Sequence, residues 1–261
     1  MKRKEPSSHT FDSDDYPQAV VAARLVAEEE YAETPVHQHH KCQLVFALSG
    51  YVKCKIANAI WIVPPNCAVW IPSQVPHSNL VSKDANVCML FVDPAIHEMP
   101  DSSCTLSISP LLRELIAHLT TLEQDYPKNS VTDKLVDVLI DQLRIMPREH
   151  FDFPLPTEPR LKAIANRLLS APEDRRTVGQ WAGEFAMSER TLSRLVKNEI
   201  GLTFGRWRSQ LHLVLALQRL AIGESVQRIA DDLGYESVSA FITFFKKTLG
   251  KSPKQYMKQK D

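Results

Sequence analysis

A pattern that occurs twice constrains this chain more than any other feature. TVGQWAGEFAMSERTLSRLVKNEIG occupies 177–201, and SVQRIADDLGYESVSAFITFFKKTLG occupies 225–250. Each copy opens with a short amphipathic helix. Val178, Trp181, Ala182 and Phe185 share one helical face in the first, as do Val226, Ile229, Ala230 and Leu233 in the second. A tight break follows, at Ala186-Met187 and at Gly234-Tyr235, where a glycine suits a left-handed C-cap. Ser188 and Ser237 then stand where an N-cap belongs, and a second helix starts. Helix, short turn, helix at this length is the helix-turn-helix pattern.

One such pair is weak evidence, because helical hairpins are common in ordinary cores. Two of them joined by a stiff spacer say more. The spacer TFGRWRSQLHLVLALQRLAIG (203–223) reads as a helix with apolar residues at Leu211, Val214, Leu215, Leu217, Leu220 and Ala221. Roughly 20 residues span about 30 Å at about 1.5 Å per residue. Successive major-groove faces on one side of a duplex lie about 34 Å apart. A rod of this length can present two recognition helices to adjacent grooves.

The helical period also sorts the recognition helices. Leu192 and Val196 fall on the buried side of the first, and Arg190, Ser193, Arg194 and Lys197 on the open side. Arginine can pair bidentately with guanine, which makes Arg190 and Arg194 candidate base readers with Ser193 in support. Ser188, Glu189 and Thr191 complete the DNA-side set of this copy. A solvated basic face is the plainer alternative. The second helix offers Ser237, Val238, Ser239, Ile242 and Thr243, with no arginine or amide among them. Ile242 and Thr243 can touch thymine methyl groups, while Lys246 and Lys247 suit phosphate. This second reader is expected to position the domain and favour A·T pairs. At least two of Phe241, Phe244 and Phe245 should be core. In the spacer, Arg206 or Arg208 is expected to reach phosphate or an acidic partner, and Arg206 is taken as the DNA contact.

The run from Trp181 to Met257, with SERTLSRLVK, GLTFGRWR, the GYES-SAF turn, Gly250 and the closing SPKQY, resembles the DNA-binding domain of AraC/XylS-type transcription regulators. The resemblance covers about 100 residues without a gap. It implies a cytoplasmic, one-component regulator that binds double-stranded promoter DNA, with RNA polymerase as a further candidate partner.

The charge balance agrees with that division of labour. Formal net charge is zero, but residues 160–261 hold 18 Lys+Arg against 10 Asp+Glu, and residues 1–159 hold 13 against 21. A basic C-terminal part fits a phosphate-binding surface; the acidic N-terminal part does not. The five cysteines contain no CxxC and read as reduced thiols of a cytosolic protein. Nothing in the sequence has the apolar length of a signal peptide or a membrane span, so no membrane partner is expected.

Residues 1–18 read as a polar, flexible lead-in. From 19 to 105 the chain reads as strands, with segments at 43–50, 51–56, 59–65, 68–72 and 86–93 rich in β-branched and aromatic residues. That pattern suggests a small antiparallel barrel or jelly roll. Within it, His37-x-His39-x3-Gln43-x6-Gly50 resembles the first cupin motif, with Gln43 where glutamate is usual. Pro72 through His77 resembles the second, with Gln74 replacing its glycine and Val81 its asparagine. The resemblance implies a cupin-type effector domain of the kind common in AraC-type regulators.

His37, His39, His77 and Gln43 could hold a divalent transition metal, since neutral imidazoles suit such ions. Alternatively they line a small-molecule pocket or bond to loop backbone. The regulator reading requires no cofactor. Trp61, Trp70, Phe46 and Tyr51 could wall an apolar effector pocket, although aromatics in a barrel are more often plain core.

Residues 108–146 turn helical. One stripe runs Leu111, Leu112, Leu115, Ile116, Leu119 and Leu122; another runs Val131, Leu135, Val138, Leu139, Leu143 and Met146. The pair either packs on the barrel or joins a second subunit, as such helices do in AraC-type regulators; a homodimer is expected. PREHFDFPLPTEPR (147–160) reads as the interdomain linker.

The expected fold is therefore α+β in two domains: a cupin-like effector and dimerisation domain over 19–146, a linker over 147–159, and an all-α DNA-binding domain over 160–261. The expected function is ligand-responsive transcription regulation without enzymatic activity. The resemblance adds control of a neighbouring transporter or efflux gene. The rival is a metal-dependent cupin enzyme with an accessory helical domain, against which Gln43 weighs mildly.

Overall fold

The computed structural model describes residues 11–27, 33–57, 59–63, 67–149 and 151–258. The chain divides into two compact units, Met1–Ala57 with Ile62–His150, and Asn58–Trp61 with Phe151–Asp261.

The first unit is β-rich, as the sequence pattern implies. Its strands are β1 (Val20–Val26), β2 (Cys42–Ser49), β3 (Val52–Ile56), β4 (Ala59–Val63, whose first residues fall in the second unit), β5 (Cys67–Ile71), β6 (His77–Val81), β7 (Asn86–Val92), β8 (Cys104–Ser107) and β9 (Arg148–Glu149). A further strand, β10 (Asp152–Pro154), belongs to the second unit. One sheet runs β1-β7-β2-β5-β8-β9 and the other β10-β4-β3-β6, and every pairing the structure registers is antiparallel. All five residues of β5 are buried, so this strand is covered on both faces rather than alternating inside and out. All five cysteines are free and buried.

Residues 1–10 of the expected lead-in lie outside the described residues. Residues 11–18 are docked rather than flexible: Phe11 packs against Phe91 at 5.6 Å, and Ser13–Asp15 form a 3-10 turn. The Asp14 carboxylate accepts the backbone N–H groups of His40 and Lys41. Those bonds hold its carboxyl below the usual range, against the opposing effect of burial, and they pin the start of β2.

Helices α1 (Pro110–Leu119) and α2 (Val131–Arg144) form the expected hairpin. Ser109 and Ser130 cap them by accepting the N–H groups of Leu112 and Asp133. Helix α1 packs on β1 and β7. Leu112, Ile116, Leu119, Val136, Leu139 and Leu143 are buried, while Leu111, Val131 and Val138 remain exposed. Each stripe thus splits into a buried and an open part, and Val136, outside the expected stripe, joins the buried set.

The stretch 147–159, expected as a linker, carries β9 and β10. The first pairs with β8 and the second with β4, with Phe153 opposite Ile60. Phe153 is buried and stacks on Trp207 at 5.4 Å, and the Trp207 indole N–H donates to the Pro154 carbonyl at 2.9 Å. Two of the prolines flank edge segments, where a missing N–H costs no ladder bond.

The second unit is otherwise helical: α3 (Pro159–Ser170), α4 (Val178–Glu184), α5 (Glu189–Ile200), α6 (Phe204–Ala221), α7 (Val226–Asp232), α8 (Val238–Leu249) and α9 (Pro253–Lys258). Helix α6 is the expected spacer and also the centre of the unit. It packs against α3, α5, α7, α9 and β10, and Phe204, Trp207, Leu211, His212, Leu213, Val214, Ala216, Leu217, Leu220 and Ala221 are all buried. A helix covered on most sides is the core of its domain. Its 18 residues span about 27 Å.

Candidate DNA-reading surface and histidine cluster

Local chemistry sets each helix-turn-helix. Thr177 and Gln180 form a reciprocal capping box at the start of α4. The chain then turns through Ala186, at φ +51°, where a residue with a Cβ is strained. Ser188 accepts the Thr191 N–H at 3.1 Å and starts α5, which Gly201 ends in a left-handed cap. The second copy repeats this with Ser225, Gly234, Ser237 and Gly250. Glycine is required at 234: φ is +69°, and a Cβ there would come within 2.8 Å of the Glu173 carbonyl.

On α5, Leu192 and Val196 are fully buried, while Glu189, Arg190, Ser193, Arg194 and Lys197 are exposed. The two arginines make no ion pair among the described residues. Several acidic side chains of this unit are engaged elsewhere. Asp174 and Glu184 pair with Arg176, Glu184 also with Arg167, Glu224 and Asp232 with Arg219, and Glu199 accepts the backbone N–H groups of Thr157 and Glu158. Arg190 and Arg194 thus stand open on one face of a rigid helix. Ser188 and Thr191 are occupied with each other as the cap. Lys197 turns back to donate to the Gly201 carbonyl at 2.7 Å, where it complements the helix C-terminus.

On α8, Phe241 and Phe245 are buried and Phe244 partly so. Val238 and Ile242 are half-buried; Ser239, Thr243, Lys246 and Lys247 are exposed. The Thr243 hydroxyl donates to the Ser239 carbonyl at 2.8 Å, which leaves mainly its methyl group for an outside partner. Ser237 caps the helix through the Ala240 N–H. In α6 the alternatives separate. Arg206 is exposed, whereas Arg208 points inward and donates to the Arg176 carbonyl at 3.1 Å.

The first unit gathers His37, His39 and His77. Reciprocal backbone bonds between His37 and His77, at 3.0 and 2.9 Å, form a one-rung bridge that sets their rings 4.4 Å apart. His39 lies 5.1 Å from His77 and edge-on to Phe91 at 5.3 Å. Burial lowers the proton affinity of His39 and takes His77 down to about 4, with the neighbouring imidazoles adding to the shift, so both rings are neutral at pH 7. Gln43, only 1% exposed, lies beside His39.

Trp70 does not share the sheet face of Gln43. Trp70 opposes Leu44 while Gln43 opposes Ile71, so the indole lies on the other face of the sheet from Gln43. Its N–H donates to the Pro100 carbonyl at 2.9 Å, and with Phe46 and Tyr51 it is buried core. Trp61 falls in the second unit, opposite Asp152. Phe91 carries no signal in the sequence; a register of β2 on β7 that pairs it with Gln43 brings it beside His39.

Comparison with known proteins fits both parts. A family model described as a helix-turn-helix domain matches residues 181–259, and one described as an AraC-like ligand binding domain matches 22–143. The chain is 44% identical over 247 residues to the HTH-type transcriptional regulator NimR of Escherichia coli (strain K12), covering 95% of this chain and 90% of that protein. It is 30% identical over 155 residues to the HTH-type transcriptional activator RhaS of Escherichia fergusonii, covering 58% of this chain and 54% of that one. Among solved structures, ToxT from Vibrio cholerae is similar over 91% of this chain and 96% of that chain, with 14% identity and a TM-score of 0.38.

Two helix-turn-helix pairs on a common core helix, in a chain that also carries a β-rich ligand-binding domain, define a DNA-binding transcriptional regulator. The chain belongs to the AraC family of such regulators.

Proposed function

We propose that this regulator reads its operator mainly through Arg190 and Arg194 of α5, with α8 supplying position and A·T preference. The observation that carries this is the state of the two arginines: exposed, unpaired among the described residues, and fixed by the buried Leu192 and Val196 behind them. Arginine can engage guanine O6 and N7 together, worth about 1–3 kcal/mol of discrimination per good pair. Arg206, Lys246 and Lys247 serve as phosphate contacts, which hold register without reading sequence. Ser188, Glu189, Thr191 and Ser237 act through helix capping and orientation, and Lys197 meets DNA only if it leaves Gly201.

In this reading the protein acts in the cytoplasm as a homodimer through the open stripe of α1 and α2, and its chemistry is binding rather than turnover. The small molecule acts by favouring one conformational state over another, since a ligand shifts an equilibrium only by its differential affinity. Control of a neighbouring transporter gene and direct contact with RNA polymerase complete the proposal. NimR is called a transcriptional regulator and RhaS a transcriptional activator, which supports it over the cupin-enzyme alternative.

The test is binding to operator duplexes carrying single base-pair changes. Arg194→Ala should lose preference at one or two defined positions, by about 1–3 kcal/mol, while Val238→Ala changes affinity little. Uniform weakening by Arg194→Ala on every sequence would make it a phosphate contact, and a collapse of specificity in Val238→Ala would reverse the ranking of the two helices.

A further inference from the structure

Arg175 and Arg176 are consecutive, yet they stack on aromatic rings of different helix-turn-helix pairs. The Arg176 guanidinium lies over the ring of Trp181 in α4 at 3.6 Å and pairs with Glu184 of the same helix. The Arg175 guanidinium lies over the ring of Tyr235, in the turn of the second pair, at 4.9 Å. A cation over an aromatic face is held there by the ring quadrupole. The loop between α3 and α4 thus reaches from one pair to the other.

The remaining contacts of this loop fall on the same line. The Pro172 carbonyl accepts from Nε2 of His212 in α6 at 3.0 Å, which leaves Nδ1 to accept from the Tyr235 hydroxyl at 3.2 Å. Arg208 of α6 donates to the Arg176 carbonyl at 3.1 Å. The Glu173 carbonyl lies so close to Gly234 that an added Cβ would meet it at 2.8 Å. Tyr235 in turn packs on Phe241 and Phe244 of α8, with ring centroids 5.3 and 5.5 Å away. What holds Tyr235 therefore holds the second reading helix.

The second pair is also tied to the end of α6, where Arg219 engages Glu224 and Asp232. An attachment at that end alone would let α7 and α8 swing about it. The loop adds a second point at His212, about 10 Å back along α6, and two points fix a rotation that one leaves free.

We propose that the α3–α4 loop is a brace that sets the distance and rotation between the two reading helices, and that Arg175 and Tyr235 are positioning residues through which the regulator selects the spacing of its two DNA contacts as well as their sequence. This rests on the reading in which α5 and α8 both enter DNA. One base pair added between the contacts moves the second by about 3.4 Å and turns it by about 35°. A braced pair cannot follow that change, whereas an unbraced pair can.

The experiment uses full-length protein and the DNA upstream of its own gene, with the two groove contacts of one chain located by hydroxyl-radical footprinting. Duplexes with one base pair more or less between those contacts are then titrated. The wild type should lose at least about tenfold in affinity on either altered duplex, and Arg175→Ala/Tyr235→Phe about threefold or less. Tyr235→Phe keeps the ring packed on α8, and a DNA-free measurement stands beside the titration. Nitroxides at Ser193→Cys and Ser239→Cys, read by double electron–electron resonance, should give one narrow distance in the otherwise wild-type chain and a broad one in the double variant. Equally narrow distances overturn the brace, and equal spacing penalties overturn its part in selecting DNA. Weakening of the double variant by one factor on every duplex, with a shallower salt dependence, overturns the positioning role and makes Arg175 a phosphate contact. A wild type that prefers native to scrambled DNA but ignores spacing overturns the brace and leaves the sequence reading standing. A wild type without that preference overturns both.

Discussion

At the scale of single residues, His212 shows how a polar group can stabilise the DNA-binding domain without touching DNA. It is 3% exposed, accepts from the Tyr235 hydroxyl at 3.2 Å and donates through Nε2 to the Pro172 carbonyl at 3.0 Å. Burial first, then Arg208 and Arg175, push its pKa down to about 4. Between that value and about 6.5 the unfolded chain binds the proton and the folded one does not, so stability rises with pH across the window. The contribution is complete above about pH 6.5 and lost as pH falls towards 4, on the order of 3 kcal/mol. Denaturant unfolding of the wild type and His212→Gln at pH 7.5 and 5.0 checks it. The wild type should lose more stability on acidification, and equal losses would contradict the assignment. In the sequence His212 is simply a polar residue within an apolar helix. The grouping of His37, His39 and His77, by contrast, is implied by the resemblance to the two cupin motifs, and in the structure a bridge joins His37 to His77. Trp70 was not, because which face of β5 it occupies depends on the register against β2.

At the scale of elements, legibility follows the range of the forces. The helices of both helix-turn-helix pairs stand where the apolar period, the serine caps and the glycine stops put them, since each signal acts within a turn or two. Strands β9 and β10 were hidden in a proline-rich stretch because only distant partners, β8 and β4, define them. The α1–α2 hairpin lies between these cases. Its period was plain, yet the sequence alone did not separate buried from open positions within each stripe. Leu111 is 54% exposed, Val131 76% and Val138 46%, and a second subunit would cover them. Leu111→Asp and Val138→Asp should each weaken self-association by about 1–2 kcal/mol in sedimentation equilibrium, with melting temperature unchanged. A monomeric wild type, or unaltered association in both variants, would remove these helices from the interface.

At the scale of the whole molecule, charge and architecture divide the work. A neutral total conceals a C-terminal part with 18 Lys+Arg against 10 Asp+Glu, and internal ion pairs occupy much of that acid. The cations left over on α5 and α8 face outward, one set able to read guanine and the other suited to phosphate. Phosphate contacts release counterions and fade with salt, whereas base readout persists as a difference between sequences. The central claim is that the protein reads sequence and does more than grip a backbone. The most direct measurement is a binding titration of the purified protein on the DNA upstream of its own gene and on a scrambled duplex, each at two salt concentrations. The account predicts tighter binding to the native DNA, with the ratio between the two duplexes retained at the higher salt. Equal affinities that fall together as salt rises would contradict it.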